Sequence, residues 1–375
     1  FTGTVAWRAT RPLDRPLGAL NVELGADALL GLRGTVAVSP DGSRIAHPAR
    51  LVNGRQGLAV RVLSQSKATP LAGTEDATVP FFSPDGQWVG FFANSKLKKI
   101  PSQGGAAAVL CDAPGGRGGA WGDDGNIYAT LNNSAAVSRI PENGGAPQPV
   151  TKLREDERAH RWPQILPGSQ VLLFSSNPTV TDWDDANIEA FFLRTGERRI
   201  LQRGGFFGHY APSGHLVYLR GGSLYAARFD VGRLALQGTP TPLLTDVAAH
   251  APSGGGQFDF AANGLFVYAA GKGEESRYTF GWMRAGGKVE PLNVPEAVYA
   301  TPRLSPDGKR LAHVIMSSQD IWVYDLERGT STRLTPCGNN YAFPVWTRDG
   351  RHIVYSSRVQ NGNALWWARA DGSGS

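Results

Sequence analysis

Eight short turns, each ending in glycine, break the apolar runs of this chain at a nearly constant spacing. They are Ser39-Pro40-Asp41-Gly42, Ser83-Pro84-Asp85-Gly86, Asp123-Asp124-Gly125, Leu166-Pro167-Gly168, Pro212-Ser213-Gly214, Ala262-Asn263-Gly264, Ser305-Pro306-Asp307-Gly308 and Thr347-Arg348-Asp349-Gly350. The steps between the glycines are 44, 39, 43, 46, 50, 44 and 42 residues. A period of this length, filled by four short strands, is the mark of a β-propeller blade. Proline presets φ, aspartate can bond its own backbone and glycine accepts φ > 0, so Pro-Asp-Gly suits a tight reversal between strands. The fold class expected is therefore all-β: a propeller of four-stranded blades. Eight is the count the turns give, with seven, or six plus extra repeats, as alternatives.

Each unit has an internal order. A short apolar strand precedes the turn and an alternating strand follows it, as in Trp88-Val89-Gly90-Phe91-Phe92. A third strand such as Ile321-Trp322-Val323-Tyr324 leads to a second glycine turn and a closing fourth strand. The eighth unit stops after its third strand, residues 364–369, and an unpaired edge there would be a liability. Residues 19–24 alternate and are expected to supply the missing strand, so that residues 19–375 form one ring behind a tail of residues 1–18. The rival expectation is a fourth strand encoded beyond Ser375. The tail begins at Phe1, and residues 1–7 can be read as the outer end of a membrane span.

Composition fits many turns and few helices: 47 Gly and 25 Pro in 375 residues, with only 19% charged. The net charge of +6 comes from scattered groups and shows no basic stripe with interleaved aromatics, so no nucleic-acid partner is expected. The two cysteines, Cys111 and Cys337, lie in distant units and are expected as separate thiols; they cannot form a Cys-based zinc site. No run of 18 apolar residues crosses a membrane within the chain. There is no Gly-x-Ser-x-Gly elbow. Gly115-Gly116-Arg117-Gly118-Gly119 reads as an inter-blade turn rather than a phosphate loop. No metal or cofactor is expected, although Asp182, Asp184 and Asp185, read first as a solvated loop, leave calcium open. The densest special sequence is His160-Arg161-Trp162-Pro163-Gln164, which reads either as a ligand-facing patch or as polar groups bonded to backbone around a packed tryptophan.

These residues resemble the TolB-type propeller repeats, which share the Ser-Pro-Asp-Gly turn followed by an apolar strand. More closely, the chain is similar to the extracytoplasmic propeller region of bacterial transmembrane serine/threonine protein kinases. The stretches that carry the likeness run from Pro80 to Phe92, Lys96 to Ile100, His160 to Gly168, Pro212 to Tyr218 and Asp320 to Leu326. The resemblance implies a periplasmic or cell-surface location and membrane tethering in the full-length protein. It also implies further repeats after this point. The chain has no Gly-rich loop before a strand lysine, no His-Arg-Asp and no Asp-Phe-Gly, so it carries no kinase activity of its own.

The expected function is a non-catalytic sensory module that binds a ligand or protein. The alternative is a propeller enzyme, a lyase or hydrolase, with its site at the channel mouth. The residues placed at that mouth precede the first strands: Asp76, Arg117, His160, Arg161, Tyr210, Gln257, Arg303 and Tyr341. Three guanidinium groups and an imidazole among them point to a small anionic ligand or an acidic peptide.

Overall fold

The computed structural model describes residues 21–25, 27–29, 35–179, 183–271, 279–284, 286, 288–297, 299–315, 318, 320–335, 341–359 and 362–373. All regular structure in them is strand. Blades 1 to 5 are four-stranded antiparallel sheets spanning residues 37–71, 78–112, 119–149, 159–203 and 206–245, each in sequence order. The sixth unit consists of two hairpins, Phe258–Phe260 with Phe266–Tyr268 and Gly281–Met283 with Val289–Pro291. A seventh four-stranded unit covers 299–333, and an eighth has the three strands Ala342–Trp346, His352–Val359 and Gly362–Arg369.

The eight turns are where the sequence puts them, and the repeated residues explain why. Ser39 Oγ donates to Asp41 Oδ1 at 2.5 Å, Asp41 Oδ1 accepts the Ser43 amide at 3.0 Å, and Ser39 Oγ accepts the Arg44 amide at 2.9 Å. The same triangle recurs around Asp85, Asp307 and Asp349. The serine hydroxyl holds the Asp41 carboxyl down at about 2, so the turn is locked by an ionised side chain over the whole neutral range.

Eight units do not share one axis. The first strands of blades 1 to 5 pack side by side in order, and the first strand of unit 6 packs back against that of blade 1. Val38 N donates to Asp259 Oδ2 at 2.8 Å, Ala262 N to Pro40 O at 2.9 Å, and Asn263 Nδ2 to Asp41 O at 2.9 Å. The ring therefore has six members, and units 7 and 8 form a separate pair outside it. That pair has its own core, built on Ile321, Val323, Tyr341, Ile353 and Tyr355. Phe280 of unit 6 touches the pair at Tyr299 and His313, with ring centroids 4.4 and 5.2 Å apart. This is the arrangement of six blades plus extra repeats.

The expected closure by the N-terminal segment is corrected by the same geometry. Asn21 to Leu24 form no strand, and the Glu23 carbonyl accepts Arg61 Nε of blade 1 at 3.4 Å. Residues 27–29 run beside the strand Arg44–Arg50 of blade 1. A ring that closes between units 1 and 6 has no need of a strand at unit 8. Among the described residues the third strand of unit 8 stays at a sheet edge, with Leu365, Trp366 and Trp367 exposed.

Candidate functional site: the channel of the six-membered ring

The first strands share a distortion that shapes the axis of the ring. In blades 2, 4 and 5 the ladder slips between Thr78 and Phe81, Arg161 and Gln164, and Phe206 and His209. Inside each slip one residue adopts the left-handed region: Val79 at φ 54°, Trp162 at 54° and Phe207 at 54°. Such bulges bend a strand and re-aim the side chains beyond them. A left-handed non-glycine residue costs about 1–3 kcal/mol, most acutely for β-branched Val79, and persists only where its surroundings fix it. Here they do. Trp162 N donates to Arg117 O at 2.9 Å, and a Cβ on Gly118 (φ 100°) would lie 2.6 Å from Trp162 Cα, so this strand approach needs glycine. Val79 and Trp162 are each followed by proline, whose missing N–H costs nothing where the ladder is already interrupted.

Between the bulges and the turns lies a cavity of about 630 Å³, walled by the first strands of all six ring units. Its wall is mainly apolar: Val36, Val79, Trp121, Trp162, Phe207 and Phe258 contribute. Polar groups are few. Gln164 of blade 4 reaches across to blade 5, accepting the Tyr210 amide at 2.6 Å and donating to its carbonyl at 3.4 Å. His209 lies between Phe207 and Phe258, with ring centroids 4.4 and 5.3 Å away. Burial pushes its pKa down to about 4, so the ring is neutral at pH 7. Its Nδ1 faces the Phe207 carbonyl at 3.3 Å and must donate there, which leaves Nε2 as an acceptor. Asp259 accepts the amides of Val38 and Phe260, both at 2.8 Å. Burial outweighs those bonds and raises its carboxyl to about 7.

Of the eight residues expected at the mouth, Tyr210 lines this cavity. The cavity runs from each bulge toward the following turn, whereas Asp76, Arg117, His160, Arg161 and Gln257 lie ahead of the bulges or strand starts of the ring. Asp76 pairs with Arg55 on the exposed edge of blade 1. Arg117 donates to the Gly116 carbonyl at 2.8 Å. His160 is fully buried, bonded to Thr151 Oγ1 at 2.8 Å and Glu157 Oε2 at 3.0 Å, and burial lowers its pKa. Glu157 joins Arg198 and Glu189 in a buried ionic network behind it. Arg161 is 2% exposed and donates to the carbonyls of Ser253 at 3.1 Å and Asn133 at 3.2 Å, over the face of Trp183 at 4.5 Å. Burial and then the nearby Arg117 lower its pKa to about 9, still charged at neutral pH. Gln257 is buried behind the first strand of unit 6. Arg303 and Tyr341 belong to the outer pair: Arg303 donates to the Pro302 carbonyl at 3.0 Å, and Tyr341 packs edge-on to Tyr355 at 5.5 Å. The eight therefore do not form one cluster.

His209 and Asp259 are the cavity residues that sequence reasoning missed. The signal for one kind of them is the residue pair after the bulge: Trp162-Pro163 precedes Gln164, and Phe207-Gly208 precedes His209. Asp259 lies between two phenylalanines in Phe258-Asp259-Phe260, a carboxylate in an otherwise apolar first strand. The glycine run Gly254-Gly255-Gly256 was also a signal. A Cβ on Gly254 (φ 71°) would lie 2.7 Å from the Trp183 ring, so this backbone seats directly beneath the indole. Of the calcium candidates, Asp182 lies outside the described residues, Asp184 accepts the Gly221 amide at 3.3 Å and Asp185 is exposed. Among the described residues no group of three acidic, histidine or cysteine side chains could hold a metal ion. Cys111 is half-buried with its thiol pushed up to about 11 by burial, and Cys337 lies outside the described residues. Among the described residues no helix is long and apolar enough to cross a membrane.

No family model matches the chain. An uncharacterized protein of Agrobacterium fabrum is 27% identical over 194 residues, 50% of this chain; the match covers 64% of that relative's length. Among solved structures, a TolB candidate from Agrobacterium tumefaciens aligns with a TM-score of 0.49 at 16% identity, covering 64% of this chain and 91% of its own. An oligogalacturonate lyase from Vibrio parahaemolyticus aligns with a TM-score of 0.42 at 10% identity, covering 91% of each chain.

Proposed function

We propose that this chain is a binding module whose site is the channel of the six-membered ring. The observation that carries the reading is the 630 Å³ cavity, apolar and aromatic on most of its wall, with a few polar groups fixed by neighbouring blades. Ligand sites have this build: a concave apolar surface and a small number of oriented polar groups. The bulges hold the wall in place, so the site exists before a ligand arrives. The resemblance to kinase-associated propellers supports a sensory role, extracytoplasmic and tethered to a membrane in the full-length protein. Among the described residues the wall carries no lysine or arginine, so the small anionic ligand expected from sequence gains no support from it.

The test is a ligand-observed NMR screen of small apolar and amphipathic compounds against the native protein and Ala120→Trp. Ala120 lines the cavity, and an indole there fills part of it. Hits should bind the native protein and vanish in the variant. Hits that bind both equally would place the site elsewhere and end this reading.

A second reading, an enzyme, rests on one observation. His209 and Asp259 line the same cavity, and burial moves them in opposite directions, to about 4 and about 7. Groups split in this way suit base and acid roles. Turnover of a hit compound that disappears in His209→Gln would favour it.

A further inference from the structure

We infer that the channel takes an organic cation, an ammonium or guanidinium group carried on an apolar body. The inference rests on the channel reading and names the class of ligand. Two carboxylates, Asp123 and Asp259, line the cavity; among the described residues no lysine or arginine does, and His209 is neutral at pH 7. Asp123 sits in an exposed turn, where its Oδ2 accepts the Gly168 amide at 3.0 Å. Asp259 lies deeper, between Phe258 and Phe260. Among the described residues no ion pair reaches it; its two bonds come from backbone amides, one on each oxygen. Each carboxylate oxygen can accept a second bond, so acceptor capacity remains.

The rest of the wall suits the same ligand. Trp121, Trp162, Phe207 and Phe258 form the packed aromatic backing of the wall, and the partly exposed Tyr210 and Phe260 line it as well. A cation over an aromatic face is attracted by the ring quadrupole, most strongly when it is desolvated. A cation beside Asp259 also supplies the counter-charge that burial withholds, which is why that carboxyl stands near neutrality without one. An anion would meet the opposite balance: a like charge in a partly enclosed site and, among the described residues, no lysine or arginine to pair with it. The volume accommodates a body of about one aromatic ring with its charged group, within the ordinary range for small-molecule sites.

Three probes of similar shape separate the possibilities: benzyltrimethylammonium, benzyl alcohol and 3-phenylpropionate. Affinities are measured by NMR titration on the native protein, Asp259→Asn, Asp123→Asn and Ala120→Trp, with folding of each confirmed by thermal melting. The native protein should bind the cation at least tenfold more tightly than the other two. Asp259→Asn should weaken the cation about tenfold and leave the alcohol unchanged, Asp123→Asn should weaken it about threefold, and Ala120→Trp should abolish binding of all. Should Asp259→Asn not fold, Asp123→Asn carries the same comparison. A cation that binds no better than the alcohol, or that ignores both aspartate substitutions, overturns the cation assignment. The channel itself then stands if Ala120→Trp still removes alcohol binding. If no probe binds the native protein, or if Ala120→Trp changes nothing, the cation assignment and the channel fall together.

Discussion

Replacing Asp259 by asparagine should make the protein more stable at pH 8 than the native chain, relative to the same comparison at pH 4.5. The side chain bonds the amides of Val38 and Phe260, so removing its charge looks damaging at first sight. Asparagine keeps the oxygen that accepts Val38 N–H and has nearly the same shape. What it removes is a carboxylate that burial holds up at about 7, well above the usual carboxylate range. The unfolded chain releases this proton around pH 4 and the folded chain only around pH 7. Between those values the unfolded state alone ionises, so native stability falls as pH rises through that window and is constant above it. A displacement of this size corresponds to about 4 kcal/mol for a dry site. The side chain is only half-buried on a cavity that admits water, which screens the charge and reduces the effect to about 1–2 kcal/mol. Urea unfolding of both proteins at pH 4.5 and pH 8 measures it, since other titrating groups cancel in the difference. A stability difference that is the same at both pH values would refute the reasoning. So would an Asp259→Asn protein that loses ground at pH 8.

Four further outcomes follow from the geometry. Arg161→Met should cost about 2–4 kcal/mol in urea unfolding, because the Ser253 and Asn133 carbonyls lose their charged donor; wild-type stability would show that these bonds do not matter. Asp85→Ala should cost about 0.5–2 kcal/mol by opening the Ser83–Asp85–Gln87 triangle, with probe binding unchanged; a folded variant that lost a ligand would make the turn a site. Burial raises Glu157, but hydrogen bonds from His160, Arg198 and the Arg154 amide outweigh it and hold its carboxyl well below the usual range. Its stabilising contribution is therefore complete above about pH 5 and is lost as pH falls below that, so Glu157→Gln should flatten acid unfolding followed by circular dichroism. Calorimetry should resolve two transitions, one for the ring and one for units 7 and 8, since their apolar cores are separate; a single two-state peak would mean that the contact at Phe280 couples them fully.

The repeat was legible because its turns are local chemistry. Ser39, Asp41 and Gly42 need only each other to close a reversal, so the fold class followed from a few residues. Ring membership was not legible, because the edge between units 6 and 1 is made by Val38, Asp259, Ala262 and Asn263, whose types also occur in ordinary strands and turns. The segment 19–24 alternates as a strand would, yet pairing is decided by which edge is near, and alternation says nothing of distance. The eight residues expected at one mouth are dispersed for a similar reason. His160 and Arg161 are polar residues at a strand start, but both are buried, His160 on Thr151 and Glu157 and Arg161 on the carbonyls of Asn133 and Ser253, while Gln164, beyond the bulge at Trp162, lines the cavity. The pattern Trp162-Pro163 marks that inversion in the sequence; periodicity alone predicts the opposite facing.

The boundary between units 6 and 1 sets the mechanical character of the ring. Every other neighbouring pair of ring units shares a buried apolar cluster, as at Phe82 with Ala37 and Phe207 with Phe258. No such cluster among the described residues spans units 6 and 1, and each of these units is built from its own consecutive stretch of chain, so no strand of one is lent to the other. The molecule behaves as a split washer rather than a welded hoop. Tension or thermal agitation should part it first between Val38 and Asp259, where hydrogen bonds make the join. Amide exchange at Val38 and Ala262 should therefore run ahead of the remaining inner strands, and a guest in the channel that touches both lips of the gap would act as a clasp.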